Sequence, residues 1–266
     1  MRAFLVILLY LAASAAAVHA ARQGSARTAF AEPALYLALA ALAAHAAWLV
    51  DVVHPGGIGT LSLADSASAM GFAIGCGGLL ALFAVRFRGI AALVLGLAAL
   101  LAAGTGSMLE TPVVAPGGWP FSVHVVLAMG AAGMFAITAV LALLLSIQDR
   151  ALRAHQPARW LAALPPVESL ERALFTVLAT GMAALTVAIL MGLLFVTDLF
   201  AQHLVHKVVL ALVAWLIFAV LLVGRWRRGW RGRTARRYTL AGFALLAVAY
   251  FGSKFVLEIL LGQHWG

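Results

Sequence analysis

Runs of apolar residues long enough to cross a lipid bilayer recur along almost the whole chain, and no other feature constrains its fold as strongly. They fall at 3–21, 30–50, 66–85, 89–108, 121–147, 173–197, 207–224 and 238–261. A helix rises about 1.5 Å per residue, so about 20 residues cross a hydrocarbon core of roughly 30 Å. Helices satisfy their own backbone hydrogen bonds, as lipid requires. The period-two alternation of a β-barrel is absent from the sequence. With 65% hydrophobic and 10% charged residues and a mean hydropathy of +1.06, polar side chains are too few to clothe a water-facing surface. The expectation is an all-α, polytopic integral membrane helix bundle of eight transmembrane helices, forming a single transmembrane domain over residues 1–266.

The connecting segments sort by charge. Those holding Arg22 and Arg27, Arg86 and Arg88, Arg150 to Arg172, and Arg225 to Arg237 are basic. The alternate segments hold Asp51 and Asp65, Glu110, and Asp198, with Pro and Gly but no Arg. The positive-inside rule then puts both termini outside and the basic segments in the cytoplasm; Arg2 alone runs against the pattern. Residues 1–20 also read as a signal peptide, with one Arg, an apolar run and a small-residue end, but an uncleaved first helix fits the charge pattern better. A net charge of +9 in a soluble chain would suggest nucleic acid. Here the Trp-interleaved arginines of 225–237 follow an apolar helix, so the expected partner is membrane lipid and not nucleic acid. The single cysteine, Cys76, excludes an internal disulfide, a CxxC redox pair and a CxxCH heme attachment.

Orientation sorts the histidines as well. His45, His54, His124, His203, His206 and His264 map to the outer side, and only His19 and His155 to the inner. Neutral imidazole is a strong iron ligand, and one or two axial residues hold a heme without any covalent link. Trp119, Phe121 and Trp265 beside these histidines suit porphyrin walls, and Lys207 suits a propionate. Each histidine alone also reads as an ordinary interfacial residue, His54 and His203 above all. Lys254 with Glu258 four residues on reads equally as a buried ion pair or as a transport pathway, since intramembrane charges tend to pair. No nucleophile–base set, phosphate loop or metal-hydrolase motif appears, so the chain is not expected to be an enzyme.

Four stretches carry a resemblance: Leu164-Pro165-Pro166-Val167-Glu168-Ser169-Leu170-Glu171-Arg172, His206-Lys207 through Trp215, Gly229-Trp230-Arg231-Gly232-Arg233, and Tyr250-Phe251-Gly252-Ser253-Lys254. With Val123-His124-Val125, they make the chain similar to the cytochrome c assembly protein transmembrane family (CcsA/HemX-like), above all to its short YpjD-type inner-membrane members. The likeness is strongest over 120–266 and is limited to span layout and His45 before that. Heme-handling members carry a Trp-rich WGxxWxWD stretch on an outer loop, whereas here that loop is only Asp198-Leu199-Phe200-Ala201-Gln202-His203-Leu204-Val205. The resemblance implies a role in cytochrome c assembly (cytochrome c biogenesis), with non-covalent b-type heme held at the outer face. His124 would be one axial ligand and His206 or His264 the other, Lys207 would offset a propionate, and His45 would lie close by. It also implies apocytochrome c and another membrane assembly protein as partners. A heme-free membrane scaffold and a small-solute transporter using Lys254 and Glu258 are the alternatives.

Overall fold

The computed structural model describes residues 2–23, 32–53, 63–103, 119–154, 164–195 and 205–252. They form α1 (Arg2–Arg22), α2 (Glu32–Val53), α3 (Leu63–Leu82), α4 (Arg88–Ala102), α5 (Trp119–Arg153), α6 (Val167–Phe195), α7 (Val205–Arg228) and α8 (Gly232–Ala247). A 3-10 turn, Val85–Phe87, precedes α4, and a π-helical turn, Val248–Gly252, extends α8. No strand occurs among the described residues, so the all-helical expectation holds. Among the described residues, six helices are long and apolar enough to cross a membrane: α1, α2, α3, α5, α6 and α7. At 15 residues α4 is apolar but shorter than the 89–108 run suggested. α8 starts at Gly232, ahead of its apolar run, and takes in Arg233, Arg236 and Arg237.

That early start has a local cause. Gly229 (φ +65°) and Gly232 (φ +55°) adopt the left-handed conformation that other residues avoid. Gly229 ends α7 with its N–H on the Arg225 carbonyl, the αL form of C-cap. Gly232 begins α8 by donating its N–H to Oε1 of Glu171, 2.6 Å away on α6. A carboxylate at that end of a helix satisfies an orphan donor and offsets the helix dipole.

The chain divides into two compact units. The first holds α1 to α4 with the end of α5 and the first turn of α6; the second holds the rest of α5 and α6 with α7 and α8. Their interiors obey lipid rules. In α1 the buried positions are Val6, Tyr10, Ala13, Ala17 and Ala20, while Phe4, Leu5, Leu8 and Leu11 face outward. In α2, Ala34, Ala38, Ala41 and His45 are fully buried at the same alternating spacing of four and three. Lipid tails are as apolar as leucine, so helices associate through close packing of small residues and through polar contacts. Large side chains lose nothing by facing out. Small residues also set the approach of α3 to its neighbours: a Cβ at Gly75 would lie 2.5 Å from the Tyr10 hydroxyl oxygen, and one at Gly78 2.9 Å from Leu95. In the second unit Phe135 of α5 stacks on Phe218 of α7, 4.2 Å between centroids, with Gly181 and Gly242 leaving room for the two rings.

Arg2, the arginine that breaks the charge pattern, forms an ion pair with Asp51 at the end of α2. At the basic end, Arg86 donates to the Ser169 hydroxyl, and the Arg225 guanidinium lies over the Phe175 ring.

Candidate functional site

In the second unit, α5 opens with Trp119 and Pro120, and a proline in the first turn removes only a donor that has no helical partner. His124 lies one turn further on. Its ring stacks beside Phe121 at i−3, with centroids 6.5 Å apart and planes at 29°. Its Nδ1 is 2.6 Å from the backbone carbonyl oxygen of Ala188 in α6. A carbonyl only accepts, so Nδ1 carries the proton and donates it. In the neutral ring Nε2 then holds the free lone pair.

The acceptor is reachable for a local reason. Within a regular α-helix the Ala188 carbonyl receives the N–H of residue 192, leaving one lone pair over. Residue 192 is Gly, and a Cβ there would stand 3.1 Å from Cε1 and 3.3 Å from Nδ1 of His124. The missing side chain is what lets the imidazole rest against α6. A histidine that donates one ring N–H to a carbonyl, with its other nitrogen bare, is in the state in which proteins present imidazole to a metal. Sequence reasoning found His124 but missed Ala188 and Gly192. The only available signal was a glycine between large apolar residues in the last turns of α6.

Lys207 lies near the start of α7, half-buried, with Nζ 5.1 Å from the centroid of the Tyr250 ring. Tyr250 sits in the π-helical turn after α8. His206 is the second residue of α7, but its side chain lies outside the described residues. His54, His155, His203, His264, Lys254, Glu258 and Trp265 lie outside them entirely. Further along the same helices Trp215 donates its indole N–H to Thr186 Oγ1 at 2.9 Å, and Thr186 donates to the Met182 carbonyl at 2.7 Å, tying α7 to α6.

His45 belongs to the first unit. It is fully buried. Its Nδ1 is 3.1 Å from the Tyr10 hydroxyl and its Nε2 2.8 Å from Ser68 Oγ. The rings of Tyr10 and Phe72 meet it edge-on, and Trp48 lies tilted beside it. Both ring nitrogens are engaged by hydroxyls from α1 and α3, which leaves neither directed at a ligand. This histidine joins three helices. Among the described residues no three His, Cys, Asp or Glu side chains gather as a metal-binding group.

The model of the cytochrome c assembly protein family matches residues 3–261. The inner membrane protein YpjD of Escherichia coli K12 is 34% identical over 138 residues, 52% of each chain. A 28.8 kDa protein from the nifR3-like 5′ region of Azospirillum brasilense is 33% identical over 156 residues, 57% of each. The cytochrome c biogenesis protein CcsA of a Synechococcus strain, JA-2-3B'a(2-13), is 28% identical over 130 residues, 43% of this chain and 37% of CcsA. The chain thus spans about half the length of the first curated relatives it matches. No solved structure matches it significantly. Its six apolar spans and these relatives identify it as a multi-pass inner-membrane protein.

Proposed function

The chain belongs to the cytochrome c assembly protein family, and from that premise we propose that it holds heme non-covalently at the end of the helices opposite the arginines, with His124 as one axial ligand. The observation that carries this reading is the bond from His124 Nδ1 to the Ala188 carbonyl, which leaves Nε2 free with its lone pair. The residues present fit the group. Phe121 lies alongside the ring, and Lys207 is a cation at the same end of the second unit, suited to a propionate. His206 or His264 would supply a second ligand to the iron. A bound heme would supply an iron able to accept the imidazole lone pair. The chain's own residues orient and retain it: Ala188 fixes the ring, Gly192 admits it, and Lys207 offsets charge. The chain acts by positioning and not as an enzyme. Apocytochrome c and another membrane assembly protein are its proposed partners.

The test is the absorption spectrum of the full chain purified in detergent from heme-supplemented cells. Wild-type protein should show a heme Soret band. His124→Ala should lose most of it, and whichever of His206→Ala and His264→Ala loses it too identifies the partner ligand. A colourless wild-type protein would leave the heme-free scaffold as the better description.

The reading also places His124 on the outer face and both termini outside, from the one-sided distribution of arginine. In a Cys76→Ser background, Trp119→Cys should react with an impermeant maleimide in intact spheroplasts, and Trp226→Cys only after permeabilisation. Both positions are exposed, at 73% and 82%. The reverse labelling pattern would put the site on the wrong side of the membrane.

A further inference from the structure

Arg88 stands apart from every other arginine described here. It is the first residue of α4 and only 5% exposed, and two of its donors, Nε and Nη1, have no hydrogen-bond partner among the described residues. A guanidinium is always charged, and burying one without partners is among the most costly arrangements available to a chain. Its position adds to the imbalance. Side chains of an α-helix lean toward its N-terminus, so this one leans toward the positive end of α4, where no side chain caps the backbone N–H groups. Two positive features share one place.

Two other polar contacts belong to the same unit. The 3-10 turn before α4 brings Arg86, whose Nη1 lies 3.4 Å from Ser169 Oγ in the first turn of α6. Gln148, near the end of α5, is 7% exposed and donates Nε2 to the Pro165 carbonyl at 3.2 Å, while its Oε1 accepts nothing from the described residues. The segment 165–169 therefore holds Arg86 and Gln148 near its two ends, with Arg88 two residues from Arg86. At this end of the unit the two cationic donors of Arg88 are left unsatisfied by the described residues. They call for a ligand with anionic oxygens.

We propose that the basic end of the first unit binds a phosphate ester, such as a phosphoglycerol group, with the Arg88 guanidinium holding the phosphate at the start of α4. Phosphate is the anion that guanidinium recognises best, through several charge-assisted hydrogen bonds at once. The group can arrive as the headgroup of phosphatidylglycerol or as a free glycerol phosphate. The site is independent of any heme held near His124.

The test uses the full chain, stripped of lipid in detergent, and follows its thermal unfolding midpoint during titration with phosphatidylglycerol, phosphatidylcholine or sn-glycerol 3-phosphate. Wild type should show a saturable rise with phosphatidylglycerol and none with phosphatidylcholine. If glycerol phosphate reproduces the rise, the ligand is the free anion; if only the lipid does, it is the headgroup. Arg88→Met should unfold no lower than wild type without lipid, because a similar-sized apolar side chain replaces an unpaired charge, and should lose the phosphatidylglycerol response. Should Arg88→Met fail to accumulate, Arg88→Lys carries the test: it keeps the charge but not the planar fork, and should need at least tenfold more lipid for half the rise. Arg86→Gln should keep the response. Equal responses of wild type to the two lipids, or an Arg88→Met or Arg88→Lys protein that responds like wild type, would overturn the proposal.

Discussion

Replacing His45 with alanine should cost the folded chain about 2–4 kcal/mol, the largest loss expected from any single alanine in the first unit. The imidazole is fully buried and fills the space between Tyr10, Phe72 and Trp48, so its removal leaves a cavity that three helices would have to collapse to close. It also strands two hydroxyls in a dry interior, those of Tyr10 and Ser68. A buried polar group left without a partner is costly, and in a membrane interior a hydrogen bond between helices contributes roughly 0.6–1.7 kcal/mol. Unfolding of the purified protein in detergent by a graded denaturant measures the loss. Tyr10→Phe and Ser68→Ala, each alone and combined with the His45 change, should show strong non-additivity, since all three act on one network. A His45→Ala protein as stable as wild type would mean the ring is not a structural joint. The folded fraction of His45→Ala should still bind heme, which separates this histidine from His124.

Gly192→Val should weaken heme binding by roughly 10- to 100-fold, as loss of a hydrogen bond that orients a metal-bound histidine typically does. Here the substitution replaces no proposed heme ligand. The first added carbon already stands 3.1 Å from Cε1 of His124, and the two methyl groups of valine add to the crowding. The ring must turn away, the bond to the Ala188 carbonyl breaks, and the protonated nitrogen is no longer fixed as Nδ1. Gly192→Ala asks for a shift of only a few tenths of an ångström and should have a smaller effect. Heme titration followed by absorbance reads both, with thermal unfolding as a check that the helices remain folded. Valine at 192 binding heme as tightly as glycine would show that the ring's placement against α6 does not matter.

Much of the architecture was legible because lipid imposes few rules and this chain follows them. Apolar run length located the helices, and the arginines marked one end of each. Facing was harder to read. In water the apolar stripe of a helix points inward, but a lipid-immersed helix is apolar all round, as α1 and α7 are. The interior is marked instead by small residues and by the rare polar ones, such as Ala13 and Ala17, or Ser66 and Ser68. Read with that rule, Ala34, Ala38 and Ala41 would have placed His45 on an inward face among hydroxyls. Arg88 was counted as a loop charge because the start of α4 is indistinguishable in sequence from the turn before it. The partner of His124 was beyond any motif, since it is a main-chain atom.

That last point bears on how the site can change over time. An acceptor supplied by a side chain is lost to one missense substitution, but no codon specifies a carbonyl. Any residue small enough for position 188 offers the same oxygen in the same place, so inherited variation acts on the ring's tautomer only indirectly. The vulnerable locus is one helical turn later, where what must be preserved is empty space.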